Sequence, residues 1–411
     1  MSAAVRAGYK QTEVGVIPED WEMASMGEVA SIERGKFSAR PRNDPRLYGG
    51  NIPFIQTGDV ARSNGSITTF TQSLNSEGLK VSRLFPMETL FFTIAANIGD
   101  VGIAQFEAAC PDSLVAIAPN LQTDKFWLLY ELSSRKTDFE SLASPGAQLN
   151  INLEKLRPYL LPVPPLPEQR AIATALGDVD ALLSGLDSLI AKKQNLKQAA
   201  MQQLLTGQTR LPGFSGEWKV KRLGEVAEFY KGKGLPKSEL VPDGEVPCIH
   251  YGELFTKYPE LIGEVFSRTN VSQNTFRSVA NDVLMPTSDV TPRGLAKASC
   301  INVDGVVLGG DILVIRSNKK RIFGEFLSYV IRREEDQVLQ LVTGSTVFHL
   351  YGSDMKRFMF AVPSLSEQTA IATVLADMDT ELAALQARLG KTRALKQGMM
   401  QELLTGRIRL V

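Results

Sequence analysis

One long stretch of this chain occurs twice, and the repetition limits what the chain can fold into. Leu166–Gly207 reads LPEQRAIATALGDVDALLSGLDSLIAKKQNLKQAAMQQLLTG, and Leu365–Gly406 reads LSEQTAIATVLADMDTELAALQARLGKTRALKQGMMQELLTG. The copies align without a gap at a constant offset of 199. Glu168/Glu367, Gln169/Gln368, Asp178/Asp377, Asp180/Asp379, Leu196/Leu395, Lys197/Lys396, Gln198/Gln397 and the Leu-Leu-Thr-Gly ending are identical. A gap-free match of this length marks an internal duplication.

Each copy reads as one long helix. Apolar residues recur at spacings of four and three, at Ile172, Leu176, Val179, Leu183, Leu186 and Ile190. The second copy repeats them as Ile371, Leu375, Met378, Leu382, Leu385 and Leu389. This is the seam of a coiled coil. Beyond Ile190 the seam meets Lys193 and Lys197, so the pattern predicts a slip in register onto Leu196, Ala200 and Leu204, with Leu395, Met399 and Leu403 in copy two. Pro167 and Glu168 suit a first helical turn. Ser364 and Glu367 have capping-box spacing, and Gly207 and Gly406 fit the position just past a helix end. A rod of this length, roughly 60 Å, cannot bury its stripe alone, and its twin is the nearest partner. An ordinary buried helix that was duplicated is the plainer alternative. Globular helices average only about 11–12 residues, however, which favours a spacer or dimerisation rod.

The regions ahead of the rods also repeat. WEMASMGEVASIERGK from Trp21 returns at Trp218 as WKVKRLGEVAEFYKGK. IPFIQTGDV (Ile52–Val60) matches VPCIHYGEL (Val246–Leu254), and each predicts a short strand entering a turn. Thr89–Ala104 corresponds to Asp282–Ala296, as a buried strand, a polar loop and a second strand. Phe126–Lys136 and Glu325–Glu335 read as helices, Ser144–Asn152 and Thr343–Tyr351 as polar loops, and Leu160–Pro167 and Phe360–Ser366 as strands leading into the rods. Strands and helices mix without regular alternation, which points to α+β domains. The rods are about half identical, whereas the globular regions keep mainly framework residues and differ in their loops. Two modules on one scaffold reading two different targets would have this pattern. Copy one ends in LLTGQTRLPGFSGEW, whereas copy two ends in LLTGRIRLV, and GYKQTEVGVIPEDW near the N-terminus supplies what would come next. Joining Val411 to the N-terminus would recreate the repeat junction. That predicts a pseudo-twofold molecule with its termini close together and its rods antiparallel.

Few catalytic signals are present. No phosphate-binding loop, dinucleotide fingerprint, Asn-Pro-Pro-Tyr segment or Cys-x-x-Cys occurs. Cys248 and His250 lack further ligands for a zinc site. His250 and His349, the two histidines, stand without a recognisable nucleophile and acid, so no active site and no metal site is expected. Asp354-Met355-Lys356 resembles half of a nuclease signature, a tripeptide common by chance. Lys+Arg and Asp+Glu both number 45, and zero net charge argues against a free-standing, non-specific polyanion binder. Three scattered cysteines predict a reducing compartment, and no apolar run is long enough for a bilayer, so a soluble cytoplasmic protein is expected.

Basic residues cluster locally. Lys36, Arg40 and Arg42, with Arg34 and Arg46, lie beside Phe37 and Tyr48. Lys231, Lys233 and Lys237 take the equivalent place in module two, and Lys319, Lys320 and Arg321 form a third cluster. Gln56, His250, Asn97, Ser288 and Arg293 offer side chains able to read base edges. For each residue, the competing reading is an ordinary solvated charge or turn residue.

YKQTEVGVIPEDW, the repeated GEV framework, VPPLPEQRAIATAL and the paired LLTG endings resemble the specificity (S) subunits of type I restriction–modification systems. The resemblance covers nearly the whole chain and is weakest in the loops. It implies target-recognition domains over 1–163 and 209–362 and helical spacers over 164–208 and 363–411. The recognition domains would each read half of a split, asymmetric site in double-stranded DNA. The spacers would pack antiparallel as a coiled coil, fix the gap and dock two methyltransferase (M) subunits. Restriction (R) subunits would join them. The chain itself would hold no cofactor and catalyse nothing; S-adenosylmethionine, ATP and Mg²⁺ would belong to the partner subunits. Other readings are a protein-binding scaffold on a coiled coil, a piece of a fused methyltransferase–nuclease, and a recognition subunit whose restriction partner is lost.

Overall fold

The central strands of both globular regions are apolar on both faces, which suits strands covered on both sides. Leu90–Thr93, Val101–Ala104 and Asp282–Pro286 are buried along their whole length. A computed structural model describes residues 6–143 and 150–410. Of the polar loop expected at 144–152, residues 144–149 lie outside the described residues, as does Val411 at the expected junction. The chain divides into two compact units. Unit 1 holds the chain up to Leu186 together with the segment from Arg388 onward; unit 2 holds Asp187–Ala387.

In unit 1 a five-stranded sheet runs in the order Ala30–Arg34, Leu114–Pro119, Leu90–Thr93, Val101–Ala104, Ser66–Ile67. A four-stranded sheet runs Gln72–Leu74, Tyr48–Phe54, Ala108–Ala109, Leu84–Phe85. Unit 2 repeats both. Its five-stranded sheet is Ala227–Lys231, Ile312–Ser317, Asp282–Pro286, Ser299–Ile301, Leu261–Ile262. Its four-stranded sheet is Ser267–Thr269, Val246–Ile249, Val307–Leu308, Phe276–Arg277. Strand alternation sends successive side chains to opposite cores. Phe92 joins Trp127, Leu128 and Phe139 on the helical side, and Phe91 joins Ile55, Val60 and Phe85 on the other. In unit 2, Val283 and Met285 face Phe326 and Tyr329, whereas Leu284 faces Ile249 and Leu254. The helices expected around Phe126 and Glu325 are Lys125–Ser134 and Gly324–Arg333. One expected strand is displaced. Gly294–Ala296 lies in a helical turn, and the second strand of that pair is Ser299–Ile301. Pro292 opens the turn and fixes its φ for helix.

A shared glycine ends the first strand of each five-stranded sheet for a steric reason. A Cβ on Gly35 would lie 2.1 Å from the Pro111 carbonyl oxygen, and one on Gly232 would lie 1.9 Å from that of Gly309. The exposed Lys36 and Lys233 follow directly.

The rods are continuous helices, Leu166–Leu204 and Leu365–Leu403. Gly207 (φ +70°) and Gly406 (φ +69°) follow them in the left-handed region, as expected of helix-ending glycines. Each unit holds an antiparallel pair of rod segments. In unit 1 Asp180 of the first rod meets Lys396 of the second. In unit 2, Lys193 pairs with Glu381 and Lys197 with Asp379, so one sequence climbs as its partner descends. Ile172, Leu176, Leu186, Ile190, Ile371, Leu375 and Leu382 are buried; Val179, Leu183, Met378, Leu385 and Leu389 are half-buried.

The expected register slip is borne out only toward the rod ends: Ala200, Leu204, Met399 and Leu403 pack against the cores, but its first positions do not turn inward. Leu196 is 47% exposed and Leu395 58% exposed. The inward positions are instead Lys193 and Lys197 in one rod and Thr392 and Lys396 in the other. A lysine can hold such a position because its aliphatic stem packs while its ammonium group reaches a carboxylate. The capping box at Ser364 forms only in half. The Ser364 hydroxyl accepts from Glu367 N–H at 3.3 Å, but the Glu367 carboxylate is engaged by Arg210. Among the described residues no helix is long and apolar enough to cross a membrane.

Candidate functional site

Each globular domain is held to the helices by a cluster that occurs twice at the same offset of 199. In unit 1 the Tyr130 hydroxyl donates to Asp180 at 2.8 Å, and Lys396 both pairs with Asp180 at 2.7 Å and lies over the Tyr130 ring at 5.3 Å. In unit 2 the Tyr329 hydroxyl donates to Asp379 at 2.7 Å, and Lys197 pairs with Asp379 and lies over the Tyr329 ring at 5.5 Å. Burial, reinforced by the carboxylate that each hydroxyl serves, pushes both phenols up, so each tyrosine remains a donor.

A second cluster closes the base of each rod. Glu168 is fully buried; it accepts from Trp21 Nε1 at 2.9 Å and from Arg409 Nη2 at 2.8 Å, and Arg409 also grips Asp20 at 2.7 Å. These two carboxylates hold the Arg409 guanidinium well above its usual pKa. In unit 2 Glu367 accepts from Arg210 Nη2 at 2.6 Å, and Arg210 also donates to the Gly216 carbonyl at 2.7 Å. Among the described residues, Trp218 Nε1 has no acceptor. Gln169 and Gln368 complete the base. Gln169 accepts from Asp124 N–H and donates to the Gln122 and Pro164 carbonyls; Gln368 does the same with Phe323, Arg321 and Pro363. The expected closeness of the chain ends is observed within unit 1, where the Tyr9 hydroxyl donates to the Gly406 carbonyl at 2.9 Å and Arg409 meets Asp20.

Of the residues expected to touch nucleic acid, Lys36, Arg40, Arg42, Gln56, Asn97, Lys233 and His250 lie on loops, Lys231 and Ser288 in strands, and Lys237 and Arg293 in short helical turns. Lys36, Arg40 and Arg42 follow the Gly35 crossing; Arg42 pairs with Asp112 at 2.8 Å, and Arg40 donates to the Ala39 carbonyl. Gln56 and His250 occupy the same place in the two units, Gln56 directly before a short helix and His250 three residues ahead of one. Gln56 N–H donates to Asp59 and His250 N–H to Glu253, both at 2.9 Å. Asn97 is exposed, and its carbonyl accepts from the Thr93 hydroxyl. Lys231 pairs with Asp311 at 3.4 Å, Lys233 donates to Asn274, Lys237 is exposed, and Arg293 pairs with Glu335 at 3.3 Å. Of the whole set, Lys231 and Ser288 line one cleft. Arg210, Arg409, Tyr130 and Tyr329 were missed from sequence, although each pair sits at the offset of 199 and was there to be found.

The model of the type I restriction–modification DNA specificity domain matches this chain twice, over residues 18–197 and 215–391. A Methanocaldococcus jannaschii chain provisionally named the specificity subunit of the type I restriction enzyme MjaX is 25% identical, with 98% of this chain and 97% of that one covered. The MjaVIII specificity subunit of the same organism is 21% identical over 96% of this chain and 94% of its own length. The crystal structure of a type I system S subunit from M. genitalium covers 93% of this chain and 96% of its own, with a TM-score of 0.62 at 15% identity. A structure described under complex assembly and conformational transition of the type I R-M system covers 95% of this chain and 99% of its own, with a TM-score of 0.58 at 18% identity. With two matches that together span most of its length and a fold shared with a solved S subunit, the chain belongs to the type I restriction–modification DNA specificity family.

Proposed function

We propose that this protein is the DNA-reading subunit of a type I restriction–modification complex and is itself non-catalytic. Each recognition domain, taken as 1–163 and 209–362, reads one half of a bipartite, asymmetric site. The helical spacers, 164–208 and 363–411, hold the readers at a fixed interval and dock two methyltransferase subunits, which restriction subunits join in turn. S-adenosylmethionine, ATP and Mg²⁺ serve the partner subunits. The cytoplasm is the compartment where such a complex meets DNA.

The observation that carries this reading is that each unit keeps the same helix-anchoring contacts while the loops above them diverge. Base readout needs side chains placed to within a fraction of an ångström, so rigid anchors and exchangeable loops belong together. Lys36, Arg40, Arg42, Lys231, Lys233, Lys237 and Arg293 would meet phosphates or base edges, and Gln56, Asn97, His250 and Ser288 base edges. A chain with no net charge suits this role when partner subunits share the backbone grip. Methylation of a base then requires that base to leave the stack and enter the partner's pocket.

The test is methylome sequencing of a host expressing this chain with its cognate methyltransferase, against a deletion of this gene alone. The expected result is a bipartite motif of fixed gap whose methylation is lost on deletion. Unchanged methylation would overturn the proposal in favour of a protein-binding scaffold.

A further inference from the structure

Unit 2 contains a cleft of about 600 Å³ whose lining the DNA-reading residues named above only begin to cover. Its floor is apolar, with Phe229, Leu313 and Leu350 contributing, the last two buried. Its rim carries Lys231, Ser288, His349, Tyr351 and Lys356. The backbone of this rim is held firmly. Ser288 and His349 are partners in a short antiparallel pair, and His349 exchanges backbone hydrogen bonds with Thr343 at 2.7 and 3.0 Å. Leu350 N–H donates to the Thr287 carbonyl at 3.0 Å. The turn then closes tightly on the sheet at Gly352, where a Cβ would lie 3.0 Å from that of Phe229.

This framework displays a flat aromatic wall. The His349 and Tyr351 rings stack at 6.1 Å and 22°, and Tyr351 is 53% exposed. Among the described residues, no side chain or carbonyl is bonded to the His349 imidazole, the Ser288 hydroxyl or the Lys356 ammonium group. An apolar floor, an exposed ring face and uncommitted hydrogen-bonding groups are what a small planar polar ligand requires. At the rim Lys356 adds charge that a neighbouring phosphate would meet, whereas Lys231 is paired with Asp311, which lines the same cleft, and would exchange that carboxylate for a phosphate. In unit 1 the strand register puts Arg34 at the place of Lys231, Ala95 at that of Ser288 and Asn150 at that of His349. The scaffold around the cleft is common to both units, and its lining is not.

We propose that this cleft is a nucleobase pocket: it takes one unstacked base of the half-site read by unit 2. The base lies against the His349–Tyr351 pair, its edge bonds to Ser288 and His349, and Lys231 and Lys356 hold the flanking phosphates. This inference rests on the DNA-reading function proposed above. Stacking on an aromatic wall tolerates any base, so the edge contacts supply the choice of base.

The experiment uses the full complex with its methyltransferase and oligonucleotides carrying 2-aminopurine at successive positions of each half-site. Wild type is compared with Tyr351→Ala, His349→Asn and Ser288→Ala. Tyr351 is largely exposed, so its truncation spares the core. The expected result has two parts. One position in one half-site gives a fluorescence change that Tyr351→Ala abolishes, while the signal at the methylated base persists. Methylation selectivity at that position falls about tenfold in His349→Asn and Ser288→Ala, with the other half-site unaffected. An equal fall in both half-sites, unchanged selectivity at every position, or loss of methyltransferase binding by the Tyr351 variant would overturn the pocket. Absence of half-site selectivity in the wild-type complex would instead overturn the DNA-reading function beneath it.

Discussion

The two units share a sheet order and differ in how firmly each is closed. Unit 1 satisfies Trp21 Nε1 with Glu168 and gives Arg409 a second carboxylate in Asp20. Unit 2 leaves Trp218 Nε1 without an acceptor among the described residues and gives Arg210 a backbone carbonyl instead. The closing arginine of unit 1 comes from the end of the chain, whereas that of unit 2 lies within continuous sequence. Above these latches the order of similarity reverses: anchors are kept and loop residues replaced.

Leu176→Ala and Leu375→Ala break the comparison at its shared core and should cost the most, about 2–5 kcal/mol each by denaturant unfolding. Similar losses for the pair would confirm that both rods seat alike. Glu168→Ala and Glu367→Ala each strip a buried partner from an arginine, at about 3 kcal/mol. The unit 1 variant should lose about 1 kcal/mol more because Trp21 Nε1 is orphaned as well. Equal losses would show that the Trp21 hydrogen bond is energetically silent.

Tyr130→Phe and Tyr329→Phe remove one hydrogen bond to Asp180 or Asp379 and should cost about 1 kcal/mol each, read as faster amide exchange in the helices carrying them. Glu325 has no acidic counterpart in unit 1, where Phe126 stands at that offset. Burial, then the charge of Asp379, raises the Glu325 carboxyl to about 7. An acid whose pKa is raised on folding contributes stability that is full at low pH and lost as pH rises from its ordinary value of 4.5 through 7. Glu325→Gln should therefore protect unit 2 by about 1 kcal/mol at pH 8, after discounting for solvent, and leave it unchanged at pH 4. The same protection at both pH values would remove titration as the cause. The smallest effect belongs to Leu196→Glu and Leu395→Glu. Both sites face outward, so each change should stay within about 0.5 kcal/mol; a larger loss would extend the register slip to these positions, as the helical pattern predicts.

The duplication, the length and ends of both rods, their antiparallel seam and the return of the C-terminal segment to the N-terminal domain were all legible in the sequence. Each rests on a local rule or on self-similarity: a 3.6-residue period, a glycine able to adopt positive φ, an offset that never drifts. The family followed from the same motifs. What escaped was decided at a distance. Lys197 and Lys396 break an apolar pattern, and only the presence of Asp379 and Asp180 across the seam makes them inward residues. His349 and Tyr351 carry no motif, and they meet Lys231 and Ser288 because a strand pair, a tight glycine turn and the five-stranded sheet converge on one cleft. Periodicity records which face of an element is apolar. Which charge answers a buried lysine, and which side chains share a rim, depends on segments up to about two hundred residues apart, and only the folded chain brings these together.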